Sequence, residues 1–102
     1  MTASENGILT LTAPRTLEEE LVDFFLDHDH QHGFTSLHVR GHSSEHGSLS
    51  PIEQVTGRQH QVQFQVQATE SQADEICKRL ESRFSGVGIH YWFLISTLQG
   101  HI

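Results

Sequence analysis

Histidine is concentrated in one part of the chain, where six of the nine histidines lie between residues 28 and 46. A short segment there holds His42 and His46 with the acid Glu45 between them. Imidazole nitrogens and carboxylate oxygens are donors that zinc, copper, nickel and cobalt accept in proteins. The spacing predicts a divalent transition-metal site made by His42, Glu45 and His46, completed by His38 or by a neighbouring subunit. The alternative is a mobile polar loop without a ligand, because nearby glycines favour a loop over a helix.

A second group of histidines, His28, His30 and His32, is interleaved with Asp27 and Asp29. In an extended chain the three imidazoles would point the same way, since alternate side chains share a face. A turn in this segment would separate them, so these three histidines are weaker candidates for metal ligands. The other interpretation is the solvated polar end of a helix, where the helix dipole favours histidine.

Composition and charge exclude several classes of protein. A chain of 102 residues is long enough for one domain. The net charge of −7 argues against nucleic acid and anionic membranes as partners. The single cysteine, Cys77, excludes an intramolecular disulfide and cysteine-rich metal centres. We expect a cytoplasmic protein, because no apolar stretch reaches the ~18 residues of a membrane span and the first residues lack a secretion signal. No catalytic motif is found, so an enzyme is not expected.

The periodicity of apolar residues predicts the elements that position these side chains. We expect strands at 8–13, 34–42, 58–68 and 89–98, a helix that begins at Thr16 and ends between His28 and Gly33, a second helix at 71–85, and one helical turn at 50–55. Thr16 and Glu19 have the spacing of a capping box. Residues 1–6 are expected to be disordered, and 7–102 to form one domain. The order βαββαβ predicts an α+β, ferredoxin-like fold, with two helices on one face of a four-stranded antiparallel sheet.

The last predicted strand is apolar on both faces, because Tyr91, Phe93 and Ile95 alternate with Trp92 and Leu94. Two helices cover only one face of such a sheet. The second apolar set therefore needs cover from another molecule. The sequence predicts a homo-oligomer packed sheet to sheet.

Glutamine occupies every second position of the predicted strand 58–68. We expect His38 and Arg40, on the neighbouring strand, to lie beside this row of amides. Together they would form a polar sheet surface that lines the wet interior of an oligomer.

The chain also contains a series of short runs: Gly41-His42, Glu45-His46-Gly47, Leu49-Ser50, Glu53-Gln54-Val55, Gly57-Arg58, Val62 to Val66, and Gly88 to Trp92 with Gly100 and Ile102. These runs resemble an uncharacterised PII-like family, a domain of unknown function encoded beside heavy-metal efflux pumps of the RND type. The resemblance covers residues 8–102. It implies a ferredoxin-like protomer that forms a trimer, as PII signalling proteins and CutA proteins do. It also implies that residues 42–57 correspond to the regulatory T-loop between the second and third strands.

The resemblance does not extend to the nucleotide loop of PII proteins, which holds ATP with a lysine between the second helix and the last strand. This chain has only Ser85-Gly86-Val87-Gly88 there. The leading hypothesis is a non-enzymatic PII-like regulatory protein that binds a divalent transition metal and signals to a metal-efflux component through residues 42–57. One alternative is a nucleotide-binding PII-type signalling protein whose site lies between subunits. The other is a small ferredoxin-like enzyme.

Overall fold

The computed structural model describes residues 5–27, 33–42 and 58–102. The strands are β1 (Asn6–Pro14), β2 (Phe34–His42), β3 (Arg58–Thr69) and β4 (His90–Ile95). A 3₁₀ turn (Arg15–Leu17) leads into helix α1 (Glu18–Asp27), and helix α2 (Glu70–Phe84) follows β3 directly. None of the helices in this described part of the chain is long and apolar enough to cross a bilayer.

The four strands form one antiparallel sheet in the order β2-β3-β1-β4. The first strand therefore lies in the middle, and the second and last strands are the two edges. Both helices lie on the same face, over the buried side chains of β1 and β3. The predicted α+β, ferredoxin-like βαββαβ fold is confirmed.

The core lies between the two helices and the inner face of the sheet. Alternate residues of the central strands are buried there because strand side chains alternate between faces. The fully buried side chains are those of Leu9, Leu11, Leu21, Phe24, Phe25, Val62, Phe64 and Val66. Phe25 is the centre of an aromatic group, with its ring centroid 5.2 Å from that of Phe34 and 5.3 Å from that of Phe64. Helix α1 and strand β2 are thereby attached to the same part of β3.

The helix starts differ from the predicted ones. Thr16 lies inside the 3₁₀ turn, so the predicted helix start at a Thr16 cap is wrong. Helix α2 has a complete capping box that the sequence analysis missed: the Thr69 hydroxyl accepts from the backbone N–H of Gln72, and the Gln72 side chain accepts from that of Thr69. Such reciprocal bonds satisfy two of the free N–H groups at a helix start.

The last strand is shorter than predicted. Strand β4 stops at Ile95, three residues before the predicted end, and the backbone N–H of Ser96 donates to the carbonyl of Asn6 at 2.9 Å. The predicted helical turn at 50–55 lies outside the described residues.

Candidate functional site

His38 is the one predicted metal ligand that the structure places in a defined contact. Its Nε2 atom lies 2.8 Å from Oε1 of Glu18, the first residue of α1. The imidazole is half-exposed, and the carboxylate is about one-third exposed. The contact connects the edge strand β2 to the start of the helix. Sequence reasoning missed Glu18, because only the folded sheet brings two residues so distant in the chain together.

The predicted position of His38 and Arg40 beside the glutamine row is wrong. In the pairing of β2 with β3, His38 lies opposite Val62, on the face that the helices cover. Leu37 and Val39 instead share the other face with the glutamines. The physical reason is Phe34: its ring packs against Phe25 in the core, and alternation then fixes the face of every later residue of β2.

His42 is the last residue of β2 and is exposed. It lies on the same face as His38, but four residues of extended strand separate their Cα atoms by roughly 13 Å. Side chains stand roughly perpendicular to a sheet, so the strand does not direct both imidazoles to one ion. Glu45 and His46 lie outside the described residues. Within the described ranges, no three histidine, cysteine or acidic side chains are arranged to hold a metal.

The weaker candidates, His28, His30 and His32, also lie outside the described residues. Of the histidines that the sequence analysis did not select, His60 shares the helix side of the sheet with His38 and lies opposite Arg40. The helix side of the β2–β3 pair is thus rich in imidazole, although α1 contacts it through Glu18 and the aromatic group around Phe25.

The second face of the sheet has no described helix over it, and we call it the helix-free face. Its middle is polar and is formed by the glutamines of β3 and by threonines of β1; Thr10 is buried at 6% exposure. Its flanks are apolar. Trp92 and Leu94 of β4 are 41% and 60% exposed, and Leu37 of β2 is 44% exposed. The predicted division of the last strand into two apolar faces is confirmed.

A groove lies between α2 and the edge strand β4, which we call the α2–β4 groove. It consists of two cavities of about 370 and 300 Å³ that share Cys77 and Tyr91. Gly86 and Gly88, both with positive φ, form one end of the larger cavity. Among the described residues, Glu81 is the only charged one that lines this cavity. The described part of the chain therefore offers no cation to a phosphate group there.

Cys77 and Tyr91 interact across this groove. Burial raises the pKa of the Cys77 thiol above its ordinary value of 9.0, and the negative charge of Asp74 raises that pKa further, whereas a hydrogen bond with Tyr91 acts in the opposite direction. The pKa of Tyr91 is also raised, mainly by the proximity of Cys77. Both groups are therefore neutral near pH 7, and the thiol is a weak nucleophile there, since the thiolate is the reactive form.

We expect Cys77 to react with iodoacetamide along a pH profile whose midpoint lies at higher pH in the folded protein than in the unfolded chain, because burial and Asp74 raise the thiol pKa. Mass spectrometry of the alkylated chain at several pH values measures this profile. Replacing Asp74 with asparagine should move the midpoint to lower pH, because one of the two causes of the shift is removed. Alkylation in urea is the control, since unfolding should return the profile to that of a free thiol. A folded-state midpoint below the unfolded one would contradict this assignment.

The fold of this chain is shared with several solved structures. No match is found among curated proteins. Among solved structures, a DUF3240 family protein from Shewanella baltica OS155 is 18% identical, with a TM-score of 0.77, and the match covers 98% of this chain and 99% of that one. CutA from Synechococcus elongatus PCC7942 is 12% identical, with a TM-score of 0.67, over 94% of this chain and 80% of that one.

A third structure is a putative PII-like signalling protein from Thermus thermophilus, with 19% identity, a TM-score of 0.62, and coverage of 92% of this chain and 89% of that one. At these identities the likeness shows the fold, which is shared with CutA and with the PII-like protein. The family model described as "Protein of unknown function (DUF3240)" matches residues 3–102. The chain therefore belongs to the DUF3240 family, with a PII-like fold.

Proposed function

We propose that this chain is a regulatory protein of the PII-like kind, which acts without catalysis, assembles as a trimer and binds a divalent transition metal. The observation that carries the proposal is its similarity in fold to the putative PII-like signalling protein, over 92% of the chain. The protein that receives the signal would be a component of a heavy-metal efflux system. The resemblance of the sequence to a family encoded beside such systems supports this partner.

The helix-free face supports the assembly. Large apolar side chains that are exposed beside polar residues often mark interfaces, and such side chains lie on both flanks of the polar middle of this face. Leu37, Trp92 and Leu94 are each more than 40% exposed on this face. Contact with other subunits would remove these side chains from water, while the glutamine amides between them could bond one another or water.

The proposed metal ligands are His42, Glu45 and His46. His42 is exposed where β2 ends, so its imidazole is accessible to an ion. His38 would join the ligands only if it gave up its contact with Glu18, and His28, His30 and His32 are the weaker set. Ordering of residues 42–57 by the bound metal would be the signal to the partner.

Isothermal titration of the metal-free protein with zinc, copper(II), nickel and cobalt tests the metal site. We expect one of these ions to bind with submicromolar affinity, at about one site per subunit. The double variant His42→Ala/His46→Ala should lose this binding. The matched control is His90→Ala/His101→Ala, which removes two other exposed histidines and should leave the affinity unchanged.

Weak binding at several sites, equal in both double variants, would contradict the metal proposal. The assembly is tested separately, by the mass of the protein in solution. A mass equal to that of the 11.5 kDa chain would contradict the trimer.

A further inference from the structure

The charged residues of this chain are divided unequally between the helices and the sheet. Helix α1 carries five acids and no base, and α2 carries four acids against three bases. The four described strands contain no aspartate or glutamate. Apart from Tyr91, their ionisable residues are arginines and histidines. The positive charge of the strands is therefore not neutralised by acids on the strands themselves.

The bases of the strands are concentrated where β2 ends and β3 begins. On the helix side of the sheet, β2 carries His38, Arg40 and His42, and β3 carries His60 directly opposite Arg40. All four residues are exposed, and we call them the basic corner. The strand pairing also places Arg58 opposite His42 at this end of the sheet.

Arg40 is the cation of the basic corner that is available to a partner. The three cations of α2 are engaged within the chain. Lys78 and Arg79 form ion pairs with acids one turn away, and Arg83 stacks over two phenylalanine rings. Arg40, in contrast, is exposed and forms no ion pair with any other residue that the structure describes.

The spacing of the basic corner suits an extended chain of carboxylates. Alternate residues of a strand project from one face roughly 7 Å apart, and so do alternate residues of an extended segment beside it. The planar guanidinium of Arg40 matches a carboxylate with two N–H donors. Each imidazole has at least one N–H donor in either charge state. The bases of β2 thus form an open row roughly 13 Å long, whereas a small ligand is usually held in a pocket.

The charge of the rest of the molecule would orient an acidic partner. The chain has a net charge of −7, and the acids of α1 would repel carboxylates from the helix layer. Attraction is then confined to the basic corner, since complementary charge fixes orientation and register more than affinity. A nucleic acid duplex is broader than this corner and would also meet the acids of α1.

We infer that the basic corner binds an extended acidic segment of a partner protein, with a carboxylate of that segment held by Arg40. This inference deepens the proposed function, on which it rests for the identity of the partner as the protein that receives the signal. His42 lies two positions beyond Arg40 on the same face. A divalent ion bound there would add positive charge beside Arg40. The metal and the acidic segment should therefore strengthen each other's binding.

Fluorescence anisotropy of a dye-labelled peptide tests the contact in the metal-free protein. The peptide alternates glutamate with serine over about eight residues, enough to span the corner. We expect saturable binding that weakens with added salt, because the charges are exposed. Arg40→Gln should raise the dissociation constant about three- to tenfold. Arg79→Gln is the matched control, since it makes the same charge change on α2 and should leave the affinity unchanged. Circular dichroism checks that both variants are folded.

A second variant should strengthen the binding, which a misfolded protein would not do. Glu18 is the acid that contacts the corner, through its bond to His38. Glu18→Gln removes a negative charge beside the corner and should lower the dissociation constant about two- to fivefold. Glu70→Gln makes the same charge change at the start of α2, which follows the far end of β3, and should have no effect. Weaker binding by Glu18→Gln would contradict the inference.

The coupling is measured by repeating the anisotropy titration with the ion that binds most tightly in calorimetry. The ion should lower the dissociation constant of the peptide, and His42→Ala/His46→Ala should abolish this change. If no ion binds but the peptide binds through Arg40, the metal proposal fails and the basic corner stands as an acidic docking surface. If an ion binds and the peptide does not, or if Arg40→Gln leaves peptide binding unchanged, the inference is overturned and the metal proposal stands.

Two other occupants of the corner are distinguished by the same variant. If Arg40→Gln dissociates an assembly that the wild-type chain forms, as measured by light scattering, the corner is occupied by acids of a second copy and the inference is overturned. A DNA oligonucleotide that binds more tightly than the peptide and depends on Arg40 would overturn it in favour of nucleic acid. An unchanged mass, with tighter binding of the peptide than of the oligonucleotide, supports the acidic protein segment.

Discussion

Replacing Phe64 with alanine is expected to lower the free energy of unfolding by about 3–5 kcal/mol. Phe64 is fully buried at the middle of β3. Its ring centroid lies 5.3 Å from that of Phe25 and 6.0 Å from that of Phe34. The substitution would leave a cavity where the aromatic group joins α1, β2 and β3. Such a loss is a large part of the stability of a domain of this size.

Urea denaturation followed by circular dichroism measures this loss, with all variants at one protein concentration so that the proposed assembly would affect each of them alike. Phe64→Leu is the matched control, since it keeps an apolar side chain at the site and should cost less. Leu98→Ala removes an apolar side chain that is 91% exposed and should change stability little. A Phe64→Ala protein as stable as Leu98→Ala would show that this core does not depend on the aromatic group.

The second large effect is expected at Gly7. Replacing Gly7 with alanine should lower the free energy of unfolding by about 1–3 kcal/mol, because the added methyl group overpacks its surroundings. Gly7 is buried in β1 between Ala68 of β3 and Ile95 of β4. A Cβ atom there would overlap the carbonyl oxygen of Leu94 and the tip of the Phe93 ring. The oxygen belongs to the backbone, so no rotation of a side chain relieves the overlap. The β1–β4 pair itself has to shift.

The same denaturation measurement tests Gly7→Ala, and two other glycines calibrate it. Gly100→Ala meets no atom within 4 Å and should be neutral. Gly41→Ala would meet the side-chain amide of Gln61, which can move, so its cost should lie between the other two. Equal free energies of unfolding for Gly7→Ala and Gly100→Ala would contradict this prediction, because they would mean that β4 can move away from the added methyl group without loss of stability.

Most of the fold could be predicted from local patterns. The alternation along β3 is regular over its whole length, and the apolar stripe of α2 contains Ala73, Ile76, Leu80 and Phe84, all buried. Patterns of this kind report on the local period of the chain, which is why element type and order were predicted correctly. The start of α2 was predicted within one residue, but its Thr69 cap was missed because Thr69 ends β3 and caps the helix at once, so no turn residue separates them.

The candidate site could be predicted less well, and β2 shows why. The polar residues of β2 lie on the helix side of the sheet, and Leu37 lies on the helix-free face. This is the reverse of the usual arrangement, in which the apolar side chains of a strand face the core. The helices contact β2 through the packing of Phe25 on Phe34 and through Glu18 at His38, whereas Ser36 and Arg40 on the same side remain exposed. Which face of an edge strand is buried depends on how far the helix layer extends over it. The local periodicity of the sequence does not contain that information.

The sheet order has a consequence for how the chain folds. Of the four strands, β1 is synthesised first, yet it pairs only with strands made much later, up to the pair Thr12 and His90. Pairings between distant parts of a chain form slowly, because a long loop must close before any contact is gained. During synthesis β1 therefore remains an apolar, unpaired segment until β3 and β4 have been made. A chain interrupted before residue 90 leaves the edge of β1 that pairs with β4 exposed. The last few strand residues complete the protection of the first.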